Sequence, residues 1–113
     1  MSHVDSIYEV GLERCEANFT ALSPLSFIRR TARVYPEHTA LVHGPHRQNW
    51  GDTYRRCRQL ASALTRRGIR MGDTVAIMSP NVPAMYEAHF GVPMAGTVLN
   101  TLNIRLDADT LAF

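Results

Sequence analysis

An α/β fold, with parallel strands joined by crossover helices and preceded by an early β-hairpin, is predicted by three observations on this 113-residue chain. Residues 74–78 (TVAIM) form an uninterrupted apolar run, the composition of a strand covered on both faces by helices. A helix-length apolar segment and a second run at 97–100 (TVLN) follow, so strand, helix and strand succeed one another through short connections and imply a right-handed parallel crossover. Before them, β-prone runs at 39–43 and 47–50 flank Gly44-Pro45-His46, which is turn chemistry.

In chain order, residues 1–22 show no clear period and suggest an irregular arm that gains order only by lying on something larger. Ser23-Pro24 starts a helix, the serine oxygen capping free amides and the proline preset at the first helical position. Leu25, Ile28, Ala32 and Tyr35 mark its apolar face, and Pro36 stops it. After the hairpin, Asp52 or Thr53 is placed to cap a helix in which Tyr54, Cys57, Leu60, Ala61 and Leu64 recur at helical spacing, and Gly68 ends it as a left-handed cap.

The strand at 74–78 is broken by Ser79-Pro80-Asn81, with Asn81 as a cap and Pro83 in the first turn of the next helix. That helix is apolar nearly all round (Ala84, Met85, Ala88, Phe90, Val92, Met94, Ala95), which predicts burial, and Pro93 predicts a kink in its last turn. Gly96 closes it. Asp107 is the expected cap of a further helix from Ala108, of which the sequence holds little more than one turn, too short to be stable alone.

Composition narrows the chemistry. Hydrophobic content of 45% is ordinary for a packed core. All 12 basic residues are arginine, so a Schiff base, a phosphate-loop lysine or a catalytic ammonium is excluded within these residues. The arginines at 29, 30, 33, 55, 56, 58, 66, 67 and 70 fall opposite the apolar stripes, nearly balanced by ten acidic residues; this is a solvated face, and no nucleic-acid partner is expected. Cys15 and Cys57 lack CxxC spacing and are expected as free thiols. The N-terminus has no signal-peptide pattern and no stretch approaches membrane-span length, so the expected location is cytoplasmic.

Three stretches carry a family resemblance: WGDTYRRCRQLASAL at 50–64, RGIRMGDTVAIMSPNVP at 67–83, and residues 86–106, within which GVPMAGTVLNTLNIRL (91–106) is the most telling. In order and spacing they resemble the AMP-forming acyl-CoA synthetases, and Pro24-Leu25-Ser26-Phe27 and Thr39-Ala40-Leu41-Val42 resemble that family's first helix and first strand. The phrase AHFGVPMAG through NTLN is most similar to the branch acting on medium-chain and related short carboxylic acids. The resemblance implies that residues 23–113 are the start of the AMP-binding (adenylation) domain, an incomplete N-terminal part of the large domain of adenylate-forming enzymes. It implies a ligase that activates a carboxylic acid with ATP and Mg2+ to an acyl-adenylate and passes the acyl group to CoA. It also implies that the phosphate loop, acidic motifs and late lysine lie beyond Phe113, so no catalytic, cofactor-binding or metal residue is expected here and ATP, Mg2+ and CoA are not expected to bind this chain alone.

Several residues invite sharper readings. His43 and His46 sit close enough for a metal proposal but lack a third ligand, which favours surface or turn histidines. His89 falls in the apolar helix with no nucleophile beside it, which favours a hydrogen-bonded core histidine over a base. Asn100, Thr101 and Asn103 follow the carboxyl end of a strand, where open α/β sheets bind ligands, although polar capping of the strand exit accounts for them. Gly91 and Gly96 form GxxxxG without a following Lys-Ser or Lys-Thr, so close helix packing is expected in place of phosphate binding. The leading expectation is a catalytically inactive opening segment of an acyl-CoA ligase, and the alternative is a stand-alone noncatalytic α/β module that binds a partner protein through exposed apolar surface.

Overall fold

A computed structural model describes residues 10, 11 and 13–112; the expected arm falls partly on residues 1–9 and 12, which lie outside the described residues. Helix α1 (Pro24–Val34) starts as the sequence predicts: Ser23 Oγ accepts the Leu25 amide at 3.2 Å. Ile28 and Ala32 face the core. Tyr35 does not; it follows the helix, remains half exposed and stacks on His38 with ring centroids 5.0 Å apart.

The hairpin pairs β1 (Thr39–His43) with β2 (His46–Asn49), leaving Gly44-Pro45 as a two-residue turn with Gly44 at φ +56°. Trp50 belongs to α2 (Trp50–Arg66) and not to the strand. The cap is Asn49, where the sequence pattern pointed to Asp52 or Thr53. Asn49 Oδ1 accepts the Asp52 amide at 2.7 Å, while the Trp50 and Gly51 amides reach the carbonyls of His38 and Pro36. Each of the first three helical amides therefore has an acceptor, leaving Asp52 and Thr53 free for other roles. Gly68, at φ +86°, closes the helix as expected.

Strands β3 (Thr74–Met78) and β4 (Val98–Leu102) pair in parallel, Thr74 opposite Val98 through Met78 opposite Leu102. β4 thus begins and ends later than its apolar run, because the Thr97 hydroxyl is engaged by the Val92 carbonyl at 2.7 Å and stays with the turn. The two hairpin strands and the two parallel strands form separate sheets. Coverage of β3 on both faces is not observed: Val75 and Ile77 are half-buried, whereas Thr74, Ala76 and Met78 are exposed. An apolar run reports capacity for two-sided burial, and here only one face is covered.

Helix α3 (Pro83–Met94) crosses over between β3 and β4. Its cap residue is Val82, with no side-chain cap bond, so Asn81 does not fill the expected role. Met85, Glu87, Ala88, Gly91 and Val92 are buried, while Ala84 and His89 are exposed, so the all-apolar helix is covered on one side only. Pro93 is the penultimate helical residue. The two glycines differ in purpose. A Cβ on Gly91 would stand 2.8 Å from Leu60 Cδ2 and 2.9 Å from the Cys57 carbonyl, so α2 and α3 touch where only hydrogen fits. Gly96, at φ +76°, makes the turn into β4 and takes no part in helix packing. The core is small: Ile28 and Ala32 from α1, Cys57 from α2, and Met85, Ala88 and Val92 from α3. Helix α4 (Ala108–Ala112) follows Asp107, whose Oδ1 accepts the Thr110 amide at 2.8 Å.

Candidate functional site

Two polar assemblies stand out. The first is buried between β2, α2 and α3. Glu87 is 5% exposed, and its carboxylate accepts Arg56 Nε at 2.5 Å and Arg56 Nη2 at 3.0 Å, a two-point guanidinium grip. Gln48 Nε2 donates to Glu87 Oε1 at 3.1 Å and to Thr53 Oγ1 at 2.9 Å, and Thr53 in turn donates to the Asn49 carbonyl at 2.7 Å. The hydrogen bonds and charge of Glu87 raise the Arg56 pKa above its ordinary value. Burial, reinforced by the Glu87 charge, pushes the Cys57 thiol up to about 11, which keeps it protonated and unreactive at neutral pH. This assembly escapes a reading by sequence pattern, because Arg56 falls on the arginine face. Its one signal is that Glu87 is the sole carboxylate of the largely apolar α3.

The second assembly is open. A cleft of about 610 Å³ lies at the carboxyl ends of β3 and β4, lined by residues including Asn81, His89, Thr101, Asn103 and Arg105. Ligands of open parallel sheets sit at this edge. A neighbouring apolar cleft of about 460 Å³ runs along α3 to the hairpin, lined by residues including Leu41, Val42, Tyr86 and Phe90. Burial raises the Tyr86 phenol pKa.

The structure separates the sequence candidates. Thr101 and Asn103 line the strand-end cleft and Asn100 does not. Asn103 Oδ1 accepts the Arg105 amide at 3.0 Å, the strand-exit capping that its position suggested. His89 is not a core histidine: it is exposed, shared by both clefts, and pairs through Nδ1 with the Met85 carbonyl at 2.7 Å, so Nδ1 carries the proton. His43 and His46 oppose each other across the hairpin in solvent, and no group of three metal-ligating side chains occurs among the described residues. Cys15 is exposed, Cys57 is buried and both are free. Among the described residues no helix is long and apolar enough to cross a membrane.

Residues 28–113 match the family model described as AMP-binding enzyme. The chain is 56% identical over 102 residues to an acetate–CoA ligase of Humulus lupulus and 58% identical over 102 residues to a peroxisomal acetate/butyrate–CoA ligase of Arabidopsis thaliana. Each match covers 90% of this chain, which spans only 18% of the length of either relative. A crystal structure of a Rhodopseudomonas palustris protein assigned to the long-chain-fatty-acid CoA ligases superposes with a TM-score of 0.77 at 37% identity, covering 81% of this chain and 23% of that one.

Proposed function

Because the chain belongs to the AMP-binding enzyme family, we propose that it is the opening part of the adenylation domain of an AMP-forming acyl-CoA ligase, with residues 23–113 in that domain and residues 1–22 as an arm upon it. The complete protein then joins a short carboxylic acid to ATP, releasing pyrophosphate, and exchanges AMP for the thiol of CoA. The family match carries this reading, and the acetate and butyrate named for the relatives support a short acid.

The residues present do not fit ATP or Mg2+. There is no lysine, and the GxxxxG glycines are spent on helix contact at Gly91 and a left-handed turn at Gly96. Among the described residues no acidic side chain lines the strand-end cleft. In this reading the segment supplies architecture: Glu87 and Arg56 lock α3 to α2, and α3 carries the β3–β4 pair whose carboxyl ends face the cleft. We place the catalytic groups, and the sites for ATP, Mg2+ and CoA, in sequence beyond residue 113. Two free thiols fit a reducing compartment, the cytoplasm in this reading.

Pyrophosphate release tests the proposal. The complete protein carrying these residues is expected to release pyrophosphate from ATP and Mg2+ only with acetate or butyrate present, and to form the acyl-CoA when CoA is added. The 113-residue polypeptide alone is expected to release none. Turnover by the short polypeptide, or carboxylate-independent hydrolysis by the complete protein, would sink the assignment.

A further inference from the structure

Solvation accounts for arginines on the outside of a helix, but not for large apolar side chains grouped among them. Helix α1 carries both. It has three arginines and no carboxylate, and Phe27, Arg30 and Val34, spaced i, i+3 and i+7, fall on the side turned from the buried Ile28 and Ala32. Phe27 is 59% exposed, Val34 55%, and Leu22, just ahead of the helix, 90%. Charge is concentrated around the same helix. Residues 23–70 hold ten of the twelve arginines and, of the ten acidic residues, only Glu37 and Asp52. Asp52 and Glu87 engage Arg55 and Arg56, whereas Arg29, Arg30, Arg33 and Arg58 form no ion pair among the described residues.

Two hollows border this face, and Phe27 and Arg30 wall both. The larger, about 940 Å³, lies between α1 and the start of α2, lined by residues including Leu22, Arg29, Arg33 and Tyr54, with Arg58 over the Tyr54 ring at 5.8 Å. Among the described residues no acidic side chain lines it. The outer one, about 260 Å³, runs to Val34 and Tyr35. A folded partner would need a surface shaped to these protruding side chains, whereas a bilayer yields to any shape and offers apolar depth beneath a layer of phosphates. We propose that the outer face of α1 docks on a bilayer containing anionic phospholipid. Leu22, Phe27 and Val34 enter the boundary between headgroups and acyl chains, and Arg29, Arg30 and Arg33 meet the phosphates. Arginine suits both parts of this contact, its stem lying along apolar surface while its donor fork takes phosphate oxygens. Ile28 and Ala32 hold the opposite side of the helix in the core, so docking needs no unfolding of α1. The inference does not depend on the ligase reading.

The test is sedimentation of the complete protein carrying these residues with vesicles of phosphatidylcholine alone and of phosphatidylcholine mixed with phosphatidylserine. Binding is expected to the mixed vesicles only, and to fall as salt is raised. Replacing Arg29, Arg30 and Arg33 together by Gln should weaken it about a hundredfold. Phe27→Ser should weaken it about tenfold. Replacing the three arginines by Lys should preserve binding within severalfold, because the charge remains. All these positions are exposed, so melting temperatures should stay at the parent value and separate lost docking from lost folding. No binding to the mixed vesicles, equal binding to neutral ones, or binding that survives the triple Gln replacement overturns the proposal. So does a Phe27→Ser protein that binds as tightly as its parent. Soluble polyglutamate bound as tightly as the vesicles would also overturn it, assigning the face to an acidic protein. Because vesicle binding is read without turnover, its failure is distinct from a negative pyrophosphate assay.

Discussion

Glu87 and Arg56, 31 residues apart in sequence, meet through two hydrogen bonds although one is buried and the other is half in solvent: their side chains are 7% and 51% exposed. That asymmetry makes the pair testable. Arg56→Met leaves a buried carboxylate with only Gln48 as partner, whereas Glu87→Gln leaves an arginine that can turn to water. We expect losses of roughly 2–4 kcal/mol for Arg56→Met and about 1–2 kcal/mol for Glu87→Gln. Urea midpoints at constant m-value measure both, and the reverse order would refute the account.

Gly91→Ala adds a methyl where α2 leaves no room, against Leu60 and the Cys57 carbonyl. The helix-propensity gain of about 1 kcal/mol is outweighed by overpacking, for a net loss of roughly 1–3 kcal/mol. Gly51→Ala is the control, because its Cβ would meet Pro36 at an ordinary 3.5 Å. Thermal melts should separate the two, and equal Tm values would contradict the close approach.

Asn49→Ala removes the oxygen that receives the Asp52 amide and should cost about 1 kcal/mol. Asn49→Asp keeps an acceptor and should be nearly neutral. Asp52→Ala, which loses only an exposed pair with Arg55, should change stability by less than about 0.5 kcal/mol. Denaturant curves for the three variants decide whether Asn49 or Asp52 is the cap.

Thiol labelling follows from the burial of Cys57. At neutral pH the native chain should react quickly at exposed Cys15 and become reactive at Cys57 only on unfolding. With the Cys57 pKa raised from 9.0 to about 11, the unfolded chain loses this proton first as pH climbs, so stability should fall between about pH 9 and 11. A Cys57→Ala chain should lack that increment of slope. Rapid labelling of both cysteines in the native chain would overturn the placement.

Local signals made most of the fold legible. Ser23-Pro24, Gly44-Pro45 and Gly68 specify their own conformations, so the first helix, the hairpin and the end of α2 could be read directly. What escaped depended on partners distant in sequence. Asn49 outcompeted Asp52 as cap because the loop after α1 brought the His38 and Pro36 carbonyls to the neighbouring amides. His89 was misplaced because hydrophobic composition shows that a helix can be buried, not which side is. Glu87 was missed because a lone carboxylate in an apolar helix acquires meaning only when Arg56 and Gln48 are seen around it. At the strand-end cleft, Thr101 and Asn103 were legible from their place after a strand, whereas the neighbouring apolar cleft required the crossover to bring α3 beside the hairpin.

Gly91 also imposes a schedule on biosynthesis. Leu60 is made 31 residues before the glycine that covers it, an interval of roughly 2–6 s at ordinary translation speed. Until α3 follows, α2 lacks its closest neighbour and Cys57 lacks the cover that buries it in the folded chain. Arrival of α3 ends the exposure, so chemical modification of Cys57 would record chains that stalled or folded late.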